Sequence, residues 1–227
     1  MIHIVKQCGL FHGITSFLYY NGRKGRRQEK PLLFPAGFYI LKEEHFPQKG
    51  IFVMAKLRKM LGDMDSPVCV GLMKQIETQS KATLVSWAAA YAKENYLPLY
   101  EKRYPDDSRL GGILGKCEEY AAGKLKAAEL KPYLKTGREL AATVEDPIAQ
   151  AAARACAASA AAASTPSNAF GFLLYGAAAV AYDQFGLTAS AAVYDEAAEK
   201  ELFKALSSLK EASVEEEPKP VKIRWNC

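Results

Sequence analysis

Between Ala149 and Ala163, eleven of the fifteen residues are alanine, and few architectures accept so long a run of the smallest chiral side chain. Alanine has the best intrinsic helix propensity because it loses no side-chain entropy in the helix. Asp146-Pro147 supplies a start, an N-cap acceptor followed by proline at the first helical position. Ser164-Thr165-Pro166-Ser167-Asn168 ends this helix and starts the next, with Thr165 as the expected cap and Pro166 as the first residue. The second helix, Ala169 to Phe185, carries Phe170, Leu173, Leu174 and Tyr175, and Gly186 suits the position just past its end. The segment from Asp146 to Gly186 therefore predicts a hairpin of two helices slim enough to pack closely against each other or their neighbours.

No residue from Ala155 to Tyr182 is charged, so a membrane hairpin is the rival reading. Pro166, Ser167 and Asn168 split that run and leave about fourteen apolar residues before Asp183, short of the roughly 20 that a span needs. Buried helices in a soluble bundle are the better expectation, with no membrane partner.

The net charge of +5 is not spread along the chain. Residues 1–53 hold eight Lys/Arg against three Asp/Glu, and the remainder holds twenty-two of each sign. The main body thus lacks the electrostatic footprint of a nucleic-acid binder. Five scattered cysteines with no close pair argue for reduced thiols, and no N-terminal segment has the pattern of a signal peptide, so a cytoplasmic setting is expected.

Residues 1–53 read differently from the rest. They are rich in aromatics but keep no helical period beyond a turn, and Gly22-Arg23-Lys24-Gly25-Arg26-Arg27 forms a basic patch in a glycine-broken loop. Met54-Ala55 ahead of Lys56-Leu57-Arg58 resembles the start of a protein, so the expectation is that 1–53 is an upstream extension. The helical domain then spans 54–212, and 213–227 is a linker with an extended tail.

Within that domain, Ser66-Pro67 opens a helix whose face (Met73, Ile76, Ser80, Leu84, Trp87, Tyr91) continues to about Asn95. After Tyr96-Leu97-Pro98 and a short turn, Asp106 or Asp107 caps a helix with a core face of Leu110, Ile113, Leu114, Cys117, Tyr120 and Ala121. A further helix spans about Ala127 to Val144, with Leu130, Tyr133, Leu134, Gly137 and Ala141 on one side. Beyond the hairpin, a last amphipathic helix covers about Ala189 to Ala212, one face apolar and the other alternately acidic and basic. In the tail, Val221, Ile223 and Trp225 alternate with polar residues, which suits an extended segment that either docks its apolar side or frays. The expected fold is all-α, an antiparallel bundle of about six helices around the alanine-rich hairpin.

Chemistry-bearing motifs are scarce. All three histidines (His3, His12, His45) precede Met54, which removes Ser-His and Cys-His pairs and the usual zinc sites from the helical body. Gly111-Gly112-Ile113-Leu114-Gly115-Lys116-Cys117 imitates a phosphate loop, but it is one residue short, ends in cysteine and lies in a helical pattern. Ser207-Ser208-Leu209-Lys210 and Lys135-Thr136-Gly137 match two penicillin-recognising motifs in the wrong order and without their third element. No catalytic residue, metal or cofactor is expected. What remains are polar groups at element ends: Tyr104, Asp106, Asp107 and Arg109 at one helix start, and Thr165, Ser167 and Asn168 at the hairpin turn. Exposed groups of this kind on a rigid bundle can present a recognition surface.

Asn95-Tyr96-Leu97-Pro98-Leu99-Tyr100-Glu101 followed by Tyr104-Pro105-Asp106-Asp107-Ser108-Arg109 resembles the Imm-five-like domain of bacterial immunity proteins. Asp146-Pro147 with its alanine-rich helix, Thr165-Pro166-Ser167-Asn168-Ala169-Phe170-Gly171 and Tyr182-Asp183 extend the resemblance over about residues 56–212. The chain departs from that pattern in carrying Leu110 where many relatives have proline, and Ser or Thr near the turn where relatives often have histidine. The resemblance implies a helical protein that neutralises a cognate toxin of a polymorphic toxin system by binding it, without catalysis. Two alternatives stay open: a small-ligand carrier or enzyme with an inter-helix pocket using Tyr91, Tyr104, Asp106 or Arg109, and a scaffold that self-associates through its alanine-rich faces.

Overall fold

The computed structural model describes residues 57–225, all within one compact unit. The expected start at Met54, the basic patch and the three histidines lie outside the described residues. Eight helices follow one another: α1 (Pro67–Glu77), α2 (Lys81–Asn95), α3 (Leu97–Glu101), α4 (Arg109–Ala121), α5 (Ala127–Thr143), α6 (Pro147–Ala161), α7 (Asn168–Phe185) and α8 (Ala191–Ala212). Seven of them have eleven residues or more, α3 is little more than one turn, and no strand occurs among the described residues. The all-α fold expected from the pattern is the fold observed, with two more helical pieces than the pattern separates.

The helix read as continuous from Pro67 to Asn95 is two helices. Ser80, which fits the apolar face by spacing, instead caps α2, its Oγ accepting the Thr83 amide at 3.2 Å. The residue before it explains the break. Gln79 is buried, and its side chain pairs with the backbone of Val214, Nε2 donating to the carbonyl at 3.2 Å and Oε1 accepting the amide at 2.8 Å. Its own carbonyl accepts the Val221 amide at 2.9 Å. A buried amide group that satisfies the backbone of a distant segment outweighs the propensity of an uninterrupted helix.

The same contacts answer for the tail. Val221, Ile223 and Trp225 pack against the core, Trp225 donates to Glu77 at 2.8 Å, and its ring meets Phe170 edge-on at 5.9 Å. The tail docks its apolar side.

The helix starts follow local chemistry. Ser66 Oγ accepts the Cys69 amide, with Pro67 at the first position of α1. Asp146 accepts the amides of Ile148 and Ala149 at 3.1 and 2.8 Å ahead of Pro147, as the sequence predicts. Gly186 closes α7 with φ of 71°, a left-handed value that an L side chain seldom adopts. Thr165, however, is not the cap of α7. That helix begins two residues past Pro166 with Ser167 at the cap position, and no side chain bonds its first amides. Residues 162–167 form backbone-bonded turns that consume the Thr165-Pro166 signal. Tyr133, placed by spacing on the core face of α5, lies partly in solvent.

Helix α6 sits at the centre, packed against α2, α3, α4, α5 and α7, and ten of its fifteen residues are buried. A helix buried on nearly every side must be apolar all round, and small side chains let its neighbours approach to the short end of the roughly 8–10 Å interaxial range. The tightest approach is on α7. A Cβ at Gly176 would fall inside the ring of Tyr96, which is fully buried. Replacing Gly176 with alanine should therefore cost about 3 kcal/mol, the upper end of overpacking penalties. The same change at Gly112, which faces open space on α4, should instead add about 0.5–1 kcal/mol from helix propensity. Urea unfolding of the two variants beside the wild type checks the opposite signs.

Candidate functional site

The seven polar residues singled out by sequence do not converge, and only Asp106, Arg109 and Thr165 among them are exposed. The seven divide between the two ends of α6. At its N-terminal end, Pro98 starts the short α3, which places Tyr100 in the core. The Tyr100 hydroxyl donates to Asp107 Oδ2 at 2.6 Å, and Tyr104 stacks on Tyr100 with ring centroids 5.2 Å apart. Asp107 also accepts the Arg109 amide at 3.1 Å and the Arg109 guanidinium at 2.8 and 2.5 Å. These hydrogen bonds, the Arg109 guanidinium foremost, hold the Asp107 carboxyl well below the usual carboxylate range, against the effect of burial. Asp107, not Asp106, is thus the residue that serves the start of α4, and Asp106 stands free in solvent.

Arg103 anchors the whole rim. Its Nε lies 2.9 Å from Asp146, its Nη2 2.9 Å from Asp183, and its Nη1 donates to the Leu99 carbonyl at 3.2 Å. One guanidinium thereby ties the loop to the cap of α6 and to the last turn of α7. Burial alone would raise the Asp183 carboxyl, but hydrogen bonds from Arg103 and Lys102 outweigh it and bring it below its ordinary value. Residues 103–109 surround a shallow depression of about 570 Å³.

Thr165, Ser167 and Asn168 lie at the other end of α6, roughly 22 Å away at 1.5 Å of rise per residue. The Asn168 side chain donates to the Ala161 carbonyl at 3.4 Å, and the Thr165 carbonyl accepts the Asn168 amide at 3.0 Å. Their bonds are those of a turn.

Sequence reasoning missed a third place. Glu201 on α8 is only 7% exposed. Its Oε1 accepts the hydroxyls of Tyr91 on α2 and Tyr96 just beyond it, both at 2.9 Å. Phe172 and Trp87 complete the aromatic wall around the two tyrosines. No hydrogen bond reaches Oε2 among the described residues. No buried side-chain oxygen there lacks a partner either, so Oε2 meets the solvent of the groove that Glu201 lines. That groove, about 660 Å³, is bounded by Asn95, Leu99, α7 from Val180 to Phe185, and α8. Burial pushes the Glu201 carboxyl above its ordinary value, and the two tyrosines with Lys204 offset only part of the rise. The signal was present in the sequence: position 201 continues the buried stripe Tyr194, Ala197, Ala198, Leu202 and Ala205. The alternating charges around it hid it in what reads as a solvated face.

Other reactive groups are put out of use. Cys69, Cys117 and Cys156 are free and buried, and burial pushes the last two thiols up to about 12. Among the described residues, no group of three or more His, Cys, Asp or Glu could hold a metal ion, and no helix is long and apolar enough to cross a membrane.

Residues 74–211, more than half of the chain, match the family model described as Imm-5 like putative immunity protein, and the chain belongs to that family. No curated protein and no solved structure matches it.

The raised Glu201 carboxyl sets a pH dependence. A group whose folded pKa lies above its unfolded value contributes most below the unfolded value and loses that contribution as pH rises through the folded one. Glu201→Gln keeps an oxygen for both tyrosines and removes the charge. Wild type should lose stability relative to this variant as pH rises from the acid side through the raised value, then hold a constant deficit. Melting temperatures of both proteins across that range check it, and a difference independent of pH would contradict it.

Proposed function

We propose that this protein binds and neutralises a cognate toxin of a bacterial polymorphic toxin system, in the cytoplasm of the producing cell and without chemistry of its own. Membership of the immunity-protein family carries the reading. The contact surface is the rim of Tyr104, Asp106, Asp107 and Arg109. Its anchors, the buried Tyr100 and the half-buried Arg103, fix the loop before any partner arrives, so little conformational entropy is lost on binding. The rim offers both signs of charge side by side, which favours register over long-range attraction. A stable complex would bury roughly 1,200–2,000 Å², far more than the rim alone, so neighbouring surface joins it. Thr165, Ser167 and Asn168, at the far end of α6, belong to a separate face.

Self-association through alanine is the weaker reading, because every alanine of α6 and α7 is buried or half-buried within the chain.

Co-expression with a toxin encoded beside the gene, where one is found, tests the proposal. Growth should be restored, and the two proteins should co-purify at fixed stoichiometry. Asp106→Arg and Arg109→Glu, both at exposed positions, should weaken protection. The melting temperature of Asp106→Arg should stay within a few degrees of wild type, since exposed substitutions usually shift stability by about 0.5 kcal/mol or less, whereas Arg109→Glu also removes the guanidinium bonds to Asp107 and should melt lower. Failure to protect would overturn the function. Full protection by both charge reversals would overturn the assigned surface.

A further inference from the structure

The groove over Glu201 carries charges that the fold does not neutralise. Two of its acidic–basic sets are internal: Asp183 with Arg103 and Lys102, and Glu196 with Lys200 at 2.7 Å. What remains is one carboxylate oxygen without a hydrogen bond, Oε2 of the buried Glu201, and one ammonium, Lys204. Lys204 makes no ion pair among the described residues and hydrogen-bonds the Asn95 amide oxygen at the groove mouth. Glu201 and Lys204 are three apart on α8, so they are neighbours on one face. Beside them the wall is apolar, formed by Leu99, Val180 and Phe185, and Phe185 is 49% exposed. A carboxylate oxygen without a partner in a cavity lining, a donor pair in the same lining and an apolar wall suit a complementary ligand with one positive group, one negative group and a hydrocarbon stem.

We propose that this groove binds a free apolar α-amino acid. Its ammonium donates to Glu201 Oε2, its carboxylate accepts from Lys204 Nζ and Asn95 Nδ2, and its side chain lies along Leu99, Val180 and Phe185. Three features fit. Oε1 is already saturated by Tyr91 and Tyr96, which fixes the carboxylate and leaves Oε2 as the acceptor for the ligand. Lys204 has two donors beyond its bond to Asn95, and Asn95 Nδ2 has one beyond its bond to the Tyr91 carbonyl. The cavity is of a size that small-molecule sites occupy. Zwitterion recognition also explains why a carboxylate is kept on the buried stripe of α8, where an apolar residue would cost less. The proposal is independent of the toxin reading, since none of the rim residues lines this groove.

Calorimetry and thermal melting on the full chain test it with three probes: L-leucine, 3-methylbutylamine, which lacks the carboxylate, and 4-methylpentanoate, which lacks the ammonium. L-Leucine should bind and raise the melting temperature, and each analogue should bind at least roughly tenfold more weakly, the loss expected for one charge-assisted contact. Glu201→Gln should abolish the leucine response. Lys204→Ala should weaken leucine while leaving the weak amine binding unchanged. Val180→Trp, which adds bulk to the groove from α7 and leaves the Glu201 side chain itself unchanged, should block binding and guards against a folding effect of the Glu201 variant. No response to leucine or other apolar amino acids, equal binding of leucine and the amine, or an unchanged response in Glu201→Gln would each overturn the proposal.

Discussion

The ring of Tyr96 lies where a residue of α7 has no side chain, and most of the architecture depends on that one accommodation. Gly176 lets the ring reach the surface of α7, so α2 can end and α3 begin within the core rather than outside it. The same placement points the Tyr96 hydroxyl at Glu201 on α8, joining three helices through one buried aromatic residue. The alanines of α6 act in the same sense from the other side. With little bulk on most of its surface, α6 can be surrounded by five neighbours, and the neighbours supply the larger side chains that fill the space between.

Much of this was legible because it is local. Asp146-Pro147, Ser66-Pro67, Ser190 near the start of α8 and Gly186 at the end of α7 act within a few residues of themselves, and each marks a boundary close to where sequence reasoning puts it. What stayed hidden depends on partners far along the chain. Ser80 fits an apolar stripe by spacing, and only Gln79's bonds to residues 214 and 221 make it a cap. Thr165-Pro166 carries a start signal that a run of turns absorbs. Asp107 was read as a group at a helix start and Arg103 was not singled out, yet their roles come from Tyr100 beneath the loop and from Asp146 and Asp183 on other elements. Glu201 was hidden by its identity, since a carboxylate on a charged helix face invites no suspicion until its position in the buried stripe is weighed.

The rim and the groove are distinct surfaces that share a wall. Asp183 lines the groove and pairs with Arg103, which holds the rim; Leu99 lines the groove, and its carbonyl accepts from the same arginine. A chain of the immunity-protein family thus sets its pinned loop and its buried Glu201 carboxylate on two surfaces that share Leu99 and Asp183. The physical requirement common to both is a rigid end of the hairpin, and the buried tyrosines of α2 and α3 supply it.

The central claim is that the α6–α7 pair, closed by Tyr96 against Gly176, is the element on which the stability of the whole domain rests. Native-state amide hydrogen exchange reads this directly, because regions that open only with global unfolding exchange slowest. The account predicts that mid-helix amides of α6 and α7 are the last to exchange, with opening free energies equal to that of complete unfolding. Exchange in α6 and α7 that runs ahead of α5 or α8 would contradict it.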